Sequence, residues 1–178
     1  FQTNTAVAEA LYATARSWAE ESEPARVWDL FCGVGGFALA LAAPGRRVLG
    51  VEVSAPAIDG ARDAAALMGL DPDLVRFEAG DARVLDPAAD PDGSIPGEVE
   101  AERPDLLVVN PPRRGIGEHL VTRIEASGVE RVLYSSCNPR TLATDLAHLS
   151  SMRVVRAHLF DMFPHTDHAE VLVELARG

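Results

Sequence analysis

Several acidic and amide side chains, and one of two cysteines, stand where this 178-residue chain could do chemistry. Asp29-Leu-Phe-Cys-Gly-Val-Gly-Gly36 reads as a strand running into a glycine turn and a helix start. Free backbone N–H groups at such a start can hold a carboxylate. Glu52 ends the next apolar run, 19 residues after Gly33, and suits an acceptor for two ribose hydroxyls. Gly80-Asp81-Ala82 follows a third run, where an acid can accept from an adenine amino group. Asn110 follows a fourth and opens Asn110-Pro111-Pro112-Arg113. Cys137 sits among Ser135, Ser136 and Asn138, just before an expected helix N-terminus whose partial positive charge favours a thiolate. Cys32, between Phe31 and the glycine turn, reads as a packing residue.

Those residues need elements to place them. Apolar spacing predicts a first helix over Thr5–Glu21, ended by Pro24. Buried strands are predicted over Val27–Phe31, Arg47–Val53, Leu74–Glu78, Asp105–Val109 and Arg131–Ser135. Helices are predicted over Phe37–Ala43, Pro56–Met68, Glu118–Ser127 and Pro139–Leu149, with a polar loop from about Leu85 to Arg103. Arg153–Phe160 and Glu170–Ala176 close the chain as two strands with no long helix between them. Alternating strands and helices imply an α/β, doubly wound, mostly parallel sheet with helices on both faces. The last two strands should add an antiparallel hairpin at one edge, the Rossmann-like methyltransferase variant of the fold. Ligands in such folds bind beyond the carboxyl ends of the strands, where Glu52, Asp81 and Asn110 fall. A nicotinamide cofactor would use Glu52 equally well. The turn, however, reads G-x-G-G and not G-x-G-x-x-G, and hydride transfer has no use for Asn-Pro-Pro-Arg. S-adenosylmethionine is the cofactor expected.

The chain has the length of one domain, residues 1–178. Hydrophobic residues at 47% and charged residues at 24% are ordinary for a globular protein, and no apolar run reaches the ~18 residues of a membrane span. Two cysteines in unlike settings are no disulfide framework, which points to a reducing, cytoplasmic setting. The net charge of −11 is unlike the basic footprint of a nucleic-acid binder. Much of the excess is local: Glu20, Glu21 and Glu23 follow the first helix, and Asp86, Asp90, Asp92, Glu98, Glu100 and Glu102 crowd one loop. Phe1 opens the chain in place of Met, so an upstream segment is expected. His165 and His168 lack further ligands nearby, and no metal is expected.

Three stretches carry a family resemblance. Asn110-Pro-Pro-Arg-Arg-Gly115, Val132-Leu-Tyr-Ser-Ser-Cys-Asn-Pro-Arg-Thr141 and Phe160-Asp-Met-Phe-Pro-His-Thr-Asp-His-Ala-Glu170 resemble the paired signatures of the RNA 5-methyluridine methyltransferases. The likeness runs from Phe1-Gln2-Thr3-Asn4 onward and is closest to the 23S ribosomal RNA branch, with the transfer-RNA branch as its neighbour. It implies that Gln2, Phe31, Glu52 and Asn110 contact the cofactor, that Cys137 is the nucleophile and that Glu170 is the base. Asp81 is added from its strand position alone. Family members carry an upstream segment, often an RNA-binding module and a cysteine-held iron–sulfur cluster, absent from these residues. Ala169 is smaller than the apolar residue expected before the glutamate.

The chemistry explains the pair. Carbon 5 of uracil attacks a sulfonium methyl poorly; a thiolate added to carbon 6 makes an enolate whose carbon 5 is nucleophilic. Methylated carbon 5 still holds its hydrogen, so a base must remove it before the thiolate can leave. Such a site takes a base out of its stack, which favours loop or single-stranded RNA as the partner. Arg113, Arg114 and Arg140 could hold phosphates, and Tyr134 or Phe163 could stack on a base if they are not core. A monomer with no membrane contact is expected. An adenine-amine methyltransferase would place an aromatic residue where Arg113 stands and would have no use for Cys137. A cofactor-binding scaffold without catalysis is the remaining alternative.

Overall fold

The computed structural model describes residues 4–82, 103–162 and 169–178. Helix α1 (Thr5–Glu20) leads to β1 (Arg26–Leu30), α2 (Gly36–Leu41), β2 (Arg47–Glu52), α3 (Ala55–Leu67) and β3 (Val75–Ala79). Then come β4 (Leu106–Val109), α4 (Gly117–Ser127), β5 (Arg131–Ser136), α5 (Pro139–His148), β6 (Met152–Phe160) and β7 (Glu170–Arg177). The helix starts follow from side-chain chemistry. Asn4 caps α1 by accepting from the Val7 N–H, Asn138 caps α5 by accepting from the Arg140 N–H, and Pro139 fills a first position that has no partner to lose.

The seven strands lie in the order β3-β2-β1-β4-β5-β7-β6. β1 through β5 pair in parallel, and β7 runs antiparallel between β5 and the edge strand β6. Alternate residues face opposite layers. Val27, Val48, Val108, Leu133 and Leu172 pack under α1, α2 and α3; Trp28, Leu49, Leu107, Val109, Val132 and Tyr134 pack under α4 and α5. All four residues of β4 are buried, as a central parallel strand requires. The order reverses between β1 and β4, so their carboxyl ends open a crevice at the switch point.

One boundary differs in a way that matters. The β1 strand expected through Phe31 stops at Leu30, because Phe31 takes a left-handed φ of 63°. Such a conformation costs a non-glycine residue roughly 1–2 kcal/mol and needs surrounding structure to hold it. The turn that follows bends the chain over Gly33 and Gly35, both at positive φ, into α2.

Asp29 ties that turn down from below. It is fully buried in β1 and accepts from the Ala38 N–H at 2.8 Å. Burial pushes its carboxyl up to about 7, against the pull of the Ala38 hydrogen bond and with a smaller push from the Glu52 charge. The sign of the linkage follows. Below about pH 4 the group is protonated folded or unfolded; as pH rises toward 7 only the unfolded chain ionises, and stability falls. The fall attributable to Asp29 is on the order of 4 kcal/mol. Asp29→Asn keeps an acceptor for Ala38 and cannot ionise, so its melting temperature should decline less between pH 4 and pH 8. Parallel melting curves for the two proteins would rule this assignment out.

Candidate active site

At the switch-point crevice a cavity of about 370 Å³ is lined by Phe31, Glu52, Asp81, Asn110, Pro111 and Arg114, among others. The volume is in the range of small-molecule sites, a few hundred Å³. Four of the five residues expected to contact a cofactor therefore share one cavity; the fifth, Gln2, lies outside the described residues. Glu52 does more than wait there. Its two carboxylate oxygens accept from the Gly33 N–H at 3.3 Å and the Ser54 N–H at 3.1 Å, fastening the glycine turn to the end of β2. A carboxylate has about four acceptor positions, so capacity for further donors remains. Cys32, by contrast, is buried against the Gly50 backbone, and burial pushes its thiol up, which keeps it protonated and suits the packing role expected.

Cys137 and Glu170 come together through strand register. β5 and β7 pair from Arg131↔Ala176 to Ser136↔Val171. Cys137 and Glu170 are the next residues along the two chains at that end of the ladder, although 33 positions of sequence separate them. Cys137 is half-buried just ahead of the α5 cap Asn138. Glu170 is buried, accepts from the Ser135 hydroxyl, and has its carboxyl pushed up by burial, with the Ser135 hydrogen bond pulling the other way.

The Asn-Pro-Pro-Arg loop is fastened beside this pair. β4 and β5 run parallel with Val109 beside Tyr134, so the residues after Asn110 pass alongside Ser135 to Cys137. The Arg113 carbonyl accepts from Asn138 Nδ2 at 2.9 Å and Thr141 Oγ1 at 3.2 Å. Deeper in, Asp145 Oδ2 accepts from the Tyr134 hydroxyl at 2.6 Å and the Ile116 N–H at 3.0 Å. Gly115, at φ 79°, passes so near that a Cβ there would lie 2.3 Å from Asp145 Oδ2. Both the conformation and the space demand glycine.

Tyr134 is fully buried with its hydroxyl on Asp145, so it is core and not a stacking platform for a base. Phe163, His165 and His168 lie outside the described residues. Arg113, Arg114 and Arg140 are all exposed at this end of the sheet. For Ser135 and Asp145 the sequence signal is a polar residue at a position of β5 or α5 that alternation or helical spacing turns inward; for Asn138 and Thr141 it is their place at the start of α5.

Residues 1–178 match the tRNA (Uracil-5-)-methyltransferase family. The chain belongs to that family. Among curated relatives it is 48% identical over 177 residues to the 23S rRNA (uracil(747)-C(5))-methyltransferase RlmC of Vibrio cholerae, covering 99% of this chain and 44% of that protein. It is 50% identical to the Shewanella amazonensis RlmC, covering 99% and 43%. The chain thus spans less than half the length of these relatives. A solved structure of the Pyrococcus abyssi tRNA (uracil-54, C5)-methyltransferase in complex with S-adenosyl-L-homocysteine superposes with a TM-score of 0.81 at 31% identity, over 99% of this chain and 40% of that one. The magnesium protoporphyrin IX methyltransferase of Synechocystis, with bound SAM, superposes at 0.70 with 13% identity over 97% and 81% of the two chains. That likeness concerns the fold, a Rossmann-like methyltransferase sheet, which is the architecture expected from the strand–helix alternation.

Proposed function

We propose that residues 1–178 form the catalytic domain of an S-adenosylmethionine-dependent RNA methyltransferase acting on carbon 5 of a uridine in 23S ribosomal RNA. The observation that carries the reading is the β5–β7 register, which brings a half-buried cysteine and a buried carboxylate to the same end of the ladder, beside the crevice. Relatives named as 23S rRNA methyltransferases, near half identical to nearly all of the chain, support the choice of RNA.

S-adenosylmethionine, when bound, supplies the electrophilic methyl group. The cavity fits such a molecule in volume, and its walls offer the right chemistry: Glu52 as acceptor for ribose hydroxyls, Asp81 for the adenine amino group, Phe31 and Asn110 closing the switch point. Gln2 is assigned to the same task. The Cys137 thiolate adds to carbon 6 of the uracil, and the electron pair displaced into the ring makes carbon 5 nucleophilic. Once carbon 5 carries the methyl, Glu170 takes its hydrogen as a proton. The C–H pair becomes the carbon 5–carbon 6 double bond, the carbon 6–sulfur bond breaks, and the thiolate returns to Cys137. Exposed Arg113, Arg114 and Arg140 suit phosphates flanking a uridine displayed from a loop. With a net charge of −11, RNA affinity rests on a local basic face such as these arginines or on residues outside these 178, and the protein is read as a monomer acting in the cytoplasm.

Two measurements test the reading. Mapping 5-methyluridine in RNA from cells lacking the protein should show one modification missing from 23S rRNA; a loss confined to transfer RNA would move the substrate to the other branch, and no loss would end the proposal. Glu52→Ala should weaken S-adenosylmethionine binding in calorimetry by roughly 1–3 kcal/mol, the cost of leaving paired hydroxyls without their acceptor. Unchanged affinity would remove Glu52 from the cofactor site.

A further inference from the structure

A buried serine in the middle of a sheet is an expense unless its hydroxyl has a partner. Ser135 is fully buried, and its partner is Glu170 on the next strand. The two are diagonal neighbours: Ser135 pairs with Leu172, and Glu170 lies two residues before Leu172 on the same face of β7. Ser135 and Glu170 thus lie on one side of the β5–β7 ladder at its open end, and Cys137 follows two residues after Ser135, just past the end of β5.

We propose that Ser135 is a positioning residue for the reaction: its hydroxyl holds Glu170 by Oε1 and aims Oε2 at carbon 5 of the covalent adduct. This rests on the reading of Glu170 as the base. Glu170 is buried, and burial alone drives a carboxyl toward its neutral, protonated state, in which it cannot take a proton. Among the described residues the donor that opposes this is Ser135. The titratable groups nearest in register on the flanking strands are Cys137 past the end of β5, and His158 and Asp161 on and beyond β6. The shift of Glu170 arises from burial and the serine contact, not from those charges. A hydrogen bond also fixes which oxygen is engaged. With Oε1 held, the lone pairs of Oε2 are left for the carbon-bound hydrogen, whose C–H electron pair stays with the ring.

The test compares wild type, Ser135→Ala, Ser135→Thr and Glu170→Gln in the full-length protein on unmethylated 23S rRNA. Single-turnover release of methylated RNA from the covalent adduct, the step that uses the base, is followed from about pH 5.5 to pH 9. Loss of a hydrogen bond to the charged form should move the acid limb of the Ser135→Ala profile up by about one pH unit. Ser135→Thr, which keeps the hydroxyl, should restore the wild-type limb. Adduct formation with 5-fluorouridine RNA should survive in Ser135→Ala, because that step does not use the base. If the Ser135→Ala and wild-type limbs coincide while Glu170→Gln still stalls, the serine has no such role and the base assignment stands. If Ser135→Ala fails to form the adduct at any pH, the hydroxyl serves the thiol or the fold, and the proposal is overturned. If Glu170→Gln turns over like wild type, the base assignment itself falls.

Discussion

Cys137→Ala should reduce methyl transfer to unmethylated 23S rRNA below detection, a loss on the order of 10⁴-fold or more, as for other covalent enzymes deprived of their nucleophile. The size of the effect follows from the substrate. Without sulfur on carbon 6, carbon 5 of uracil has too little electron density to attack a methyl sulfonium at a useful rate. Among the described residues the other thiol, Cys32, is buried against Gly50, and burial favours its protonated form. The fold should survive, since Cys137 is half-buried past the end of β5 and its replacement removes one sulfur from the sheet's rim. Binding of S-adenosylmethionine, proposed for the cavity lined by Phe31, Glu52 and Asn110, should be unchanged and serves as the internal control. Cys32→Ala should retain methyl transfer, with some loss of stability from the space left beside Gly50 and Phe77. The reverse pattern, activity lost with Cys32 and kept without Cys137, would show that the wrong thiol has been assigned.

Much of this arrangement is legible in the sequence because punctuation marks the carboxyl ends of the strands. Gly80 and Asn110-Pro111 each follow a strand where a cavity wall is needed, and Glu52 lies at the end of an apolar run, so Glu52, Asp81 and Asn110 can be placed from the sequence. Asn138-Pro139 does the same for α5 and thereby locates Cys137. Phe31 marks the limit of that logic. Its type argues for strand, yet the chain turns left-handed there, a choice imposed by the turn that Asp29 and Glu52 tie down.

What the sequence hides is pairing across long separations. Nothing in the spacing of Cys137 and Glu170 reveals that they lie at one end of the same ladder; that depends on β7 entering the sheet between β5 and β6 and on the register it adopts. The Tyr134–Asp145 contact is hidden for a similar reason. Period-2 alternation turns Tyr134 toward α4 and α5 and Ser135 the other way, but only the helix packing brings Asp145 to the tyrosine and leaves the serine for Glu170. Polar residues at inward positions are the trace such contacts leave. They say that a partner exists without saying which.

Glu170→Gln should fail in a different way from Cys137→Ala, and the difference separates the two roles. The amide keeps the size of the carboxylate and an oxygen that can still accept from Ser135, so the corner of the sheet is preserved. Thiolate addition and methyl transfer need no base and should proceed. The final step needs one: the hydrogen on methylated carbon 5 must leave as a proton before the carbon 6–sulfur bond can break. Loss of a general base slows such a step by roughly 10²–10⁴-fold. The protein–RNA adduct, already methylated, should therefore accumulate and appear on denaturing gels as a slow-moving band. Wild type should give the same band with RNA carrying 5-fluorouridine at the target, since fluorine cannot depart as a proton does. Because Glu170 must be ionised to act and burial raises its carboxyl, wild-type release should slow as pH falls through that raised value, while the Glu170→Gln residue of activity should lack this limb. Absence of an adduct in Glu170→Gln with uridine RNA, alongside a clear band for wild type with the fluorinated RNA, would place the base elsewhere and leave Cys137 as the nucleophile.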